Sequence, residues 1–208
     1  MTLFENAGKQ NTAETVRLAV ARAMELGDCP IVAASTLGVT ADALLTAAAA
    51  AGCRSKIVIV RGCTSRQRKG VNLMPEMIKA GLEARGAVIV TAAHALSAGE
   101  RGISTVFKGA YPLEIMANTL RMFGQGTKVC VEASTMAMDA DVLPFGVPIV
   151  ALGGSHRGAD TAIVLTPSYS ASILETVVHE ILCKPFDVRN PDPSMDFQST
   201  KLNGGIET

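Results

Sequence analysis

Five-residue apolar runs recur along the chain, and longer stretches with a helical period separate most of them. The runs are rich in Val and Ile and contain few polar residues, which is typical of strands that are covered on both faces. They predict strands at residues 30–34, 56–60, 87–91, 128–132, 148–152 and 161–165.

The stretches between the runs predict helices. Apolar residues three and four positions apart, with Gly or Pro near the ends, indicate helices at residues 12–26, 41–52, 74–86, 111–124 and, more weakly, 134–143. Alternating strands and helices favour an α/β fold, a three-layer sandwich with a mostly parallel sheet and helices on both faces. Only residues 153–160 separate the last two strands, so we expect these to form an antiparallel hairpin at an edge of the sheet.

The length of the chain favours one domain. A chain of 208 residues can bury one sizeable core but is short for two ordinary domains. We therefore predict a single α/β domain over residues 1–185. Residues 186–208 are rich in Pro, Asn, Asp and Ser, a composition that does not build a core. We interpret them as a C-terminal tail that is flexible or covers a partner.

Charge and hydropathy narrow the classes of partner. The chain has 19 basic and 19 acidic residues, so no overall field attracts nucleic acid or a membrane surface. Any anion must therefore be bound by local groups. With 48% hydrophobic and only 18% charged residues, the chain should contain a sheet buried on both faces, surface lost to a homo-oligomer, or both.

The cysteines and the N-terminal segment point to the cytoplasm. Five scattered cysteines without a CxxC pair indicate neither a disulfide framework nor a zinc site. The chain starts without the cationic and apolar regions of a signal peptide, and no apolar stretch is long enough for a membrane span. We expect a cytoplasmic protein that binds no metal, since no cluster of ligands at metal-binding spacing is apparent.

Hydroxyls and a glycine follow the first predicted strand, where a helix begins. Ser35, Thr36, Gly38 and Thr40 could form a phosphate cup, because the first turn of a helix leaves N–H groups unpaired and carries partial positive charge. Alternatively, Thr40 only caps the helix and Gly38 only makes the turn.

A second polar loop follows the fifth predicted strand. Ser155, His156 and Arg157 lie there between glycines, and an arginine fork is well suited to a phosphate. The arginine could equally be an ordinary solvated loop residue. If the strands are parallel, this loop and the first one lie at the same edge of the sheet.

Two titratable residues are candidates for acid–base chemistry. His94 follows the third predicted strand and Glu132 ends the fourth. Each also has a structural interpretation: the histidine bonds nearby backbone, and the carboxylate forms an ion pair with Arg101 or Arg121.

Five segments carry a family resemblance. They are FENAGKQNTAETV at residues 4–16, ASTLGVTA at 34–41, TAAHALSAGERG at 91–102, YPLEIMANTLRMFGQGTKV at 111–129 and GGSHRGADTA at 153–162. These segments resemble the carboxyl-terminal α/β domain of pyruvate kinase. They are still more similar to the small standalone proteins of uncharacterised function that are classed with that domain.

The resemblance implies a pyruvate kinase C-terminal domain-like fold and phosphate binding at the loop that contains Ser35, Gly38 and Thr40. Leu37 stands where the pyruvate kinase loop has a hydroxyl, and the chain has no tryptophan to clamp a sugar. Without the barrel and metal-bound substrate site of pyruvate kinase, kinase activity should be absent. Among standalone relatives, flavin mononucleotide (FMN) is the first ligand to consider, because its single phosphate suits one helix terminus.

These observations lead to one principal expectation and two alternatives. We expect a protein that binds a phosphorylated small molecule through the first loop, with the second loop closing over it. The first alternative is an enzyme, either a flavin-dependent oxidoreductase or a phospho-sugar isomerase or lyase, that uses His94 or Glu132. The other is an interaction module whose pocket has lost its ligand.

Overall fold

A computed structural model describes residues 1–63 and 70–186. The predicted tail beyond Phe186 falls outside these residues. The described strands are β1 (Thr2–Phe4), β2 (Ile31–Ala34), β3 (Ile57–Gly62), β4 (Val88–Ala92), β5 (Ile149–Gly153), β6 (Thr161–Thr166) and β7 (Val177–Pro185).

Six α-helices accompany the strands in the described residues. They are α1 (Thr12–Glu25), α2 (Val39–Ala51), α3 (Glu76–Ala84), α4 (Ala98–Phe107), α5 (Pro112–Arg121) and α6 (Gln125–Asp139). Short 3-10 helices cover Lys9–Asn11 and Ser170–Glu175. Within this part of the chain, no helix combines the length and apolar character that crossing a bilayer requires.

The strands form one mostly parallel sheet in the order β1-β7-β6-β5-β2-β3-β4. The pairs β1–β7, β5–β2, β2–β3 and β3–β4 are parallel, whereas β6 runs antiparallel to both of its neighbours. The chain runs from β2 through β3 to β4 and then returns to the other side of β2 as β5. This reversal makes the β2–β5 boundary a topological switch point, where open α/β sheets bind ligands.

Alternate residues of the central strands enter two separate cores. Ile31 and Ala33 pack with α1 and α2, whereas Val32 between them packs with α6. This two-sided burial explains the continuous apolar runs, since neither face of β2 meets solvent. The α/β class with helices on both faces of the sheet is therefore confirmed.

The predicted strand at residues 128–132 is wrong, because these residues lie inside α6. Twelve of the fifteen α6 residues are buried. A helix that is buried nearly all round shows no polar stripe, so Val129 and Val131 mimic the alternation of a strand.

The antiparallel hairpin is confirmed, but its predicted position at an edge is wrong. β5 and β6 pair antiparallel, from Ile149 opposite Leu165 to Gly153 opposite Thr161. β7 and β1 continue the sheet beyond β6, so that the hairpin lies in the interior. The elements predicted from the sequence did not include β1, β7 or α4.

Helix α4 differs from the other helices because none of its residues is buried. Its apolar side chains Ile103, Val106 and Phe107 are 50%, 69% and 76% exposed. Such a surface is compatible with the homo-oligomer expected from the composition, which stays a prediction.

Candidate functional site

A cavity of about 820 Å³ opens at the switch point, beyond the carboxyl ends of β2 and β5. The loops after β2, β4 and β5 and one side of α6 line it. Of the sequence-predicted site residues, it brings together Ser35, Thr36, Thr40, His94, Glu132, Ser155, His156 and Arg157.

The first turn of α2 forms one wall of this cavity. The Ser35 hydroxyl accepts a hydrogen bond from the backbone N–H of Ala41 at 3.3 Å, which satisfies the third amide of the helix. The amides of Val39 and Thr40 precede it in the first turn, where an α-helix offers no carbonyl partner. Both residues line the cavity, so the positive end of the helix dipole lies at the cavity.

Gly38 has a different role from the predicted approach to phosphate. Its φ is 96°, a left-handed conformation that favours glycine, and it is the N-cap of α2. A Cβ added at Gly38 would lie 2.5 Å from Cγ2 of Ile78 in α3. The missing side chain therefore allows the turn and the close packing of α3, and Gly38 itself does not line the cavity.

The loop at 154–158 lines the cavity on the β5 side, and buried Asp160 holds it in place. Oδ2 of Asp160 accepts hydrogen bonds from the N–H of Gly8 at 3.0 Å and of Ser155 at 3.1 Å. The Thr12 hydroxyl accepts a further bond from the N–H of Ala159 at 3.0 Å. The N-terminal segment and this loop are thus joined into one unit.

Two glycines make the close packing of this loop possible. A Cβ at Gly154 would lie 2.4 Å from the carbonyl oxygen of Gly158. At Gly158, where φ is 75°, a Cβ would lie 2.3 Å from Oγ1 of Thr12 and 2.8 Å from Cα of Lys9. Larger residues at either position would displace backbone, so the loop has little freedom to rearrange.

Two cations line this end of the cavity. Lys9 comes from the short 3-10 helix before α1, and Arg157 comes from the loop after β5. Both residues are exposed. We define the anion cradle as the first turn of α2, the loop at 154–158 and Lys9.

His94 and Glu132 line the cavity on its β4 side, and buried Lys128 pairs with Glu132. We call these three residues the buried-charge cluster. Nδ1 of His94 lies 3.1 Å from Oε2 of Glu132, and Nζ of Lys128 contacts the same oxygen. Oε1 of Glu132 accepts a hydrogen bond from the N–H of Leu96 at 3.1 Å. Glu132 is 3% exposed and Lys128 is 4% exposed, whereas the side chain of His94 is 57% exposed.

Opposing effects set the charge state of this cluster. Burial alone would raise the pKa of Glu132, but the hydrogen bond from His94 and the charge of Lys128 lower it to about 2. Burial lowers the pKa of Lys128, and the carboxylate of Glu132 opposes that change. Because Glu132 is ionised at neutral pH and can only accept, Nδ1 of His94 must be the donor. In the neutral imidazole, Nε2 then carries the lone pair.

The structural partners predicted for Glu132 are wrong. Its ion-pair partner is Lys128, one helical turn earlier in α6, and neither Arg101 nor Arg121 forms an ion pair with it. The error follows from placing residues 128–132 in a strand, where positions four apart do not meet as they do on a helix.

Sequence reasoning missed four residues of the site: Lys9, Thr12, Gln125 and Lys128. The spacing of Lys128 and Glu132 would have indicated the ion pair if the segment had been recognised as helix. Lys9 and Thr12 precede the predicted first strand and reach the cavity only because Asp160 and the loop at 154–158 bind their segment. No local signal in the sequence indicates that long-range contact.

Apolar residues form the rest of the lining. Val39, Leu37 and Leu73 lie at the cavity and are 70%, 41% and 38% exposed, while Val129 and Met136 come from α6. Among the described residues, no group of three or more His, Cys, Asp or Glu side chains has the arrangement of a metal site. No protein-family model matches the chain.

Proposed function

We propose that this chain binds a phosphorylated small molecule at the carboxyl ends of β2 and β5. The observation that carries the proposal is the convergence of a helix N-terminus and two cations, Lys9 and Arg157, on one cavity. Backbone N–H groups and Arg or Lys side chains are the groups that proteins use for phosphate. Ser35, Thr36, Thr40, Ser155 and His156 would contribute further polar contacts.

The distribution of charge supports an anionic ligand. Among the described residues that line the cavity, Glu132 is the one carboxylate, and Lys128 neutralises it. Lys9 and Arg157 therefore leave the cavity positive although the whole chain has a formal charge of zero. A phosphate gains from this local field without any general affinity for nucleic acid or membranes.

FMN is the first ligand that we propose. Its single phosphate suits one anion cradle, and the exposed apolar side chains of Leu37, Val39 and Leu73 could cover an aromatic ring. The resemblance to standalone pyruvate kinase C-terminal domain-like proteins supports the same choice. We further propose a cytoplasmic location and the absence of pyruvate kinase activity.

The alternative is an enzyme, either a flavin-dependent oxidoreductase or a phospho-sugar isomerase or lyase. The observation that favours it is the contact between the two acid–base candidates, since His94 and Glu132 share a hydrogen bond at the cavity. A histidine that a carboxylate orients is a common arrangement for proton transfer.

A comparison of FMN with riboflavin tests the proposal. At about a hundred times its dissociation constant, FMN should stabilise the fold by about 2.7 kcal/mol, and riboflavin by much less, because riboflavin lacks the phosphate. Arg157→Ala should reduce the affinity for FMN about tenfold without changing that for riboflavin. Arg54→Ala is the matched control, since Arg54 is highly exposed and pairs with Asp28 instead of lining the cavity.

Calorimetric titrations of the wild type and both variants provide the measurement. Equal affinity for FMN and riboflavin would contradict phosphate recognition. The same conclusion would follow if Arg54→Ala weakened FMN binding as much as Arg157→Ala did.

A further inference from the structure

The buried-charge cluster carries a desolvation cost. Glu132 and Lys128 are removed from water, and their mutual attraction must offset the loss of hydration of both charges. A well-packed apolar pair in α6 would avoid this cost. The stability of α6 therefore does not explain why these two charged residues are buried there.

The hydrogen bonds of Glu132 show what the cluster holds in place. One carboxylate oxygen binds the ring of His94, and the other binds the N–H of Leu96, two residues further along the same loop. Glu132 thus fixes both the imidazole and the backbone that carries it. Lys128 contributes by keeping the carboxylate charged inside the protein.

The imidazole of His94 lines the cavity, and 57% of this side chain is exposed. Its Nδ1 is occupied by Glu132, and its Nε2 lies 3.8 Å from the position that a Cβ of Gly62 would take. Gly62 and His94 both line the cavity. A side chain at position 62 would contact the imidazole, so the glycine leaves room for a ligand beside Nε2.

His94 and the anion cradle line the same cavity from different strands. His94 follows β4, but its Nε2 lies beside Gly62 at the end of β3, the strand next to β2. Adjacent strands are about 4.8 Å apart, so at least about one strand spacing separates Nε2 from the cradle at the end of β2. A sugar phosphate can span this separation, with its phosphate in the cradle and its carbon chain beside Nε2.

We propose that His94 is a catalytic base that removes a proton from the carbon next to the carbonyl group of an aldose or ketose phosphate. This inference rests on the proposed phosphate site and extends the enzyme alternative, naming its substrate class and its base. Glu132 acts as a positioning residue and Lys128 supports it.

The step balances without an oxidant or a metal. The C–H bond breaks, its proton forms an N–H bond at Nε2 of His94, and its electron pair moves to the carbonyl oxygen to give an enediolate. Return of the proton to the same carbon restores the substrate. Return to the neighbouring carbon, together with transfer of the hydroxyl proton from one enediolate oxygen to the other, interconverts aldose and ketose. In heavy water, either route replaces the substrate proton with deuterium.

The experiment measures deuterium incorporation by NMR in heavy water. The substrates are erythrose, ribose, ribulose and fructose monophosphates, each phosphorylated on its terminal carbon. Wild-type protein should exchange the proton of at least one of them. His94→Gln should slow this exchange at least about a hundredfold and leave the affinity for the same sugar phosphate within about twofold. His179→Gln is the matched control, because His179 is on β7 and bonds Thr166 outside the cavity.

A second variant tests the positioning role of Glu132. Glu132→Gln should lower the maximal exchange rate with little change in the Michaelis constant, and ring-nitrogen NMR should show that the proton no longer favours Nδ1 of His94. Thermal melts establish that this variant is folded under the assay conditions. If it unfolds, His94→Gln decides the question alone, since the side chain of His94 is largely exposed.

Each contrary result has a separate meaning. Binding of sugar phosphates without exchange, exchange that survives in His94→Gln, or binding of FMN but of no sugar phosphate would overturn this inference and leave the phosphate site intact. Failure of every phosphorylated ligand to bind would overturn the proposed function as well.

Discussion

The two ends of the cavity are built by opposite means. The anion cradle uses backbone amides, glycine-dependent turns and exposed cations, whereas the buried-charge cluster uses ionised side chains that are almost wholly removed from water. The proposed binding of an anion to the cradle needs little rearrangement, because its cations Lys9 and Arg157 are exposed. The cluster instead fixes one imidazole. The proposed phosphate binding and the proposed proton transfer therefore depend on separate residues and can be disrupted separately.

Removal of Lys128 should produce the largest effect on stability. Lys128→Met leaves the buried carboxylate of Glu132 without its cation, and breaking a buried pair in this way typically costs about 3–5 kcal/mol. Urea unfolding of the wild type and the variant measures this cost. Lys79→Met is the matched control, because Lys79 forms a similar pair with Glu83 on the surface of α3. It should cost less than about 1 kcal/mol, and equal costs for the two variants would show that burial of the cluster is unimportant.

Acid should reduce the contribution of the buried-charge cluster to folding stability in a defined pH range. The pKa of Glu132 falls from the usual 4.5 to about 2 in the folded protein, so its proton binds more tightly to the unfolded chain. Its contribution to folding is complete above about pH 5 and disappears as the pH falls toward 2.

The variant Glu132→Gln isolates this contribution. We expect the free energy of unfolding of the wild type to decline between about pH 5 and pH 3 more steeply than that of Glu132→Gln. Urea unfolding at several pH values measures both slopes. Parallel curves for the two proteins would mean that Glu132 does not carry the acid sensitivity.

A substitution at Gly158 in the anion cradle should lower the stability of the fold, because it strains the backbone. Gly158→Ala combines a positive φ with a collision against Thr12 and the backbone of Lys9, so it should cost about 2–3 kcal/mol. Gly146→Ala is the matched control, with a φ of 73° against 75° and no atom within 4 Å of the added Cβ. It should cost about 1 kcal/mol. Thermal or urea unfolding compares the stability of the two variants. Equal losses of stability would show that the loop at 154–158 shifts to accommodate the added methyl group.

The same contrast explains which parts of the site the sequence could predict. Residues 35–40 and 155–157 lie directly after apolar runs, so the strand pattern alone brings their polar groups to one edge of the sheet. The positions of strands β2 to β6 also follow from these apolar runs. These features depend on residues that are near one another along the chain.

The cluster could not be predicted in this way. Its ion pair depends on α6 being a helix, and burial on nearly all sides removed the amphipathic period that identifies helices. Strand β7 also escaped prediction. Its pairing with β6 contains two register irregularities, so its apolar residues do not alternate regularly. In both places long-range packing determines the structure, and the local pattern is ambiguous.

The most direct test of the central claim is an amide proton–nitrogen correlation spectrum recorded during titration with inorganic phosphate. Phosphate should shift the amide signals of Val39 and Thr40 and those of residues 154–158. It should leave the amide of Leu96 unchanged, because Glu132 holds that N–H at the other end of the cavity. Shifts at Leu96 without shifts at Val39 and Thr40 would contradict the account, because they would place the anion at the buried-charge cluster instead of the cradle.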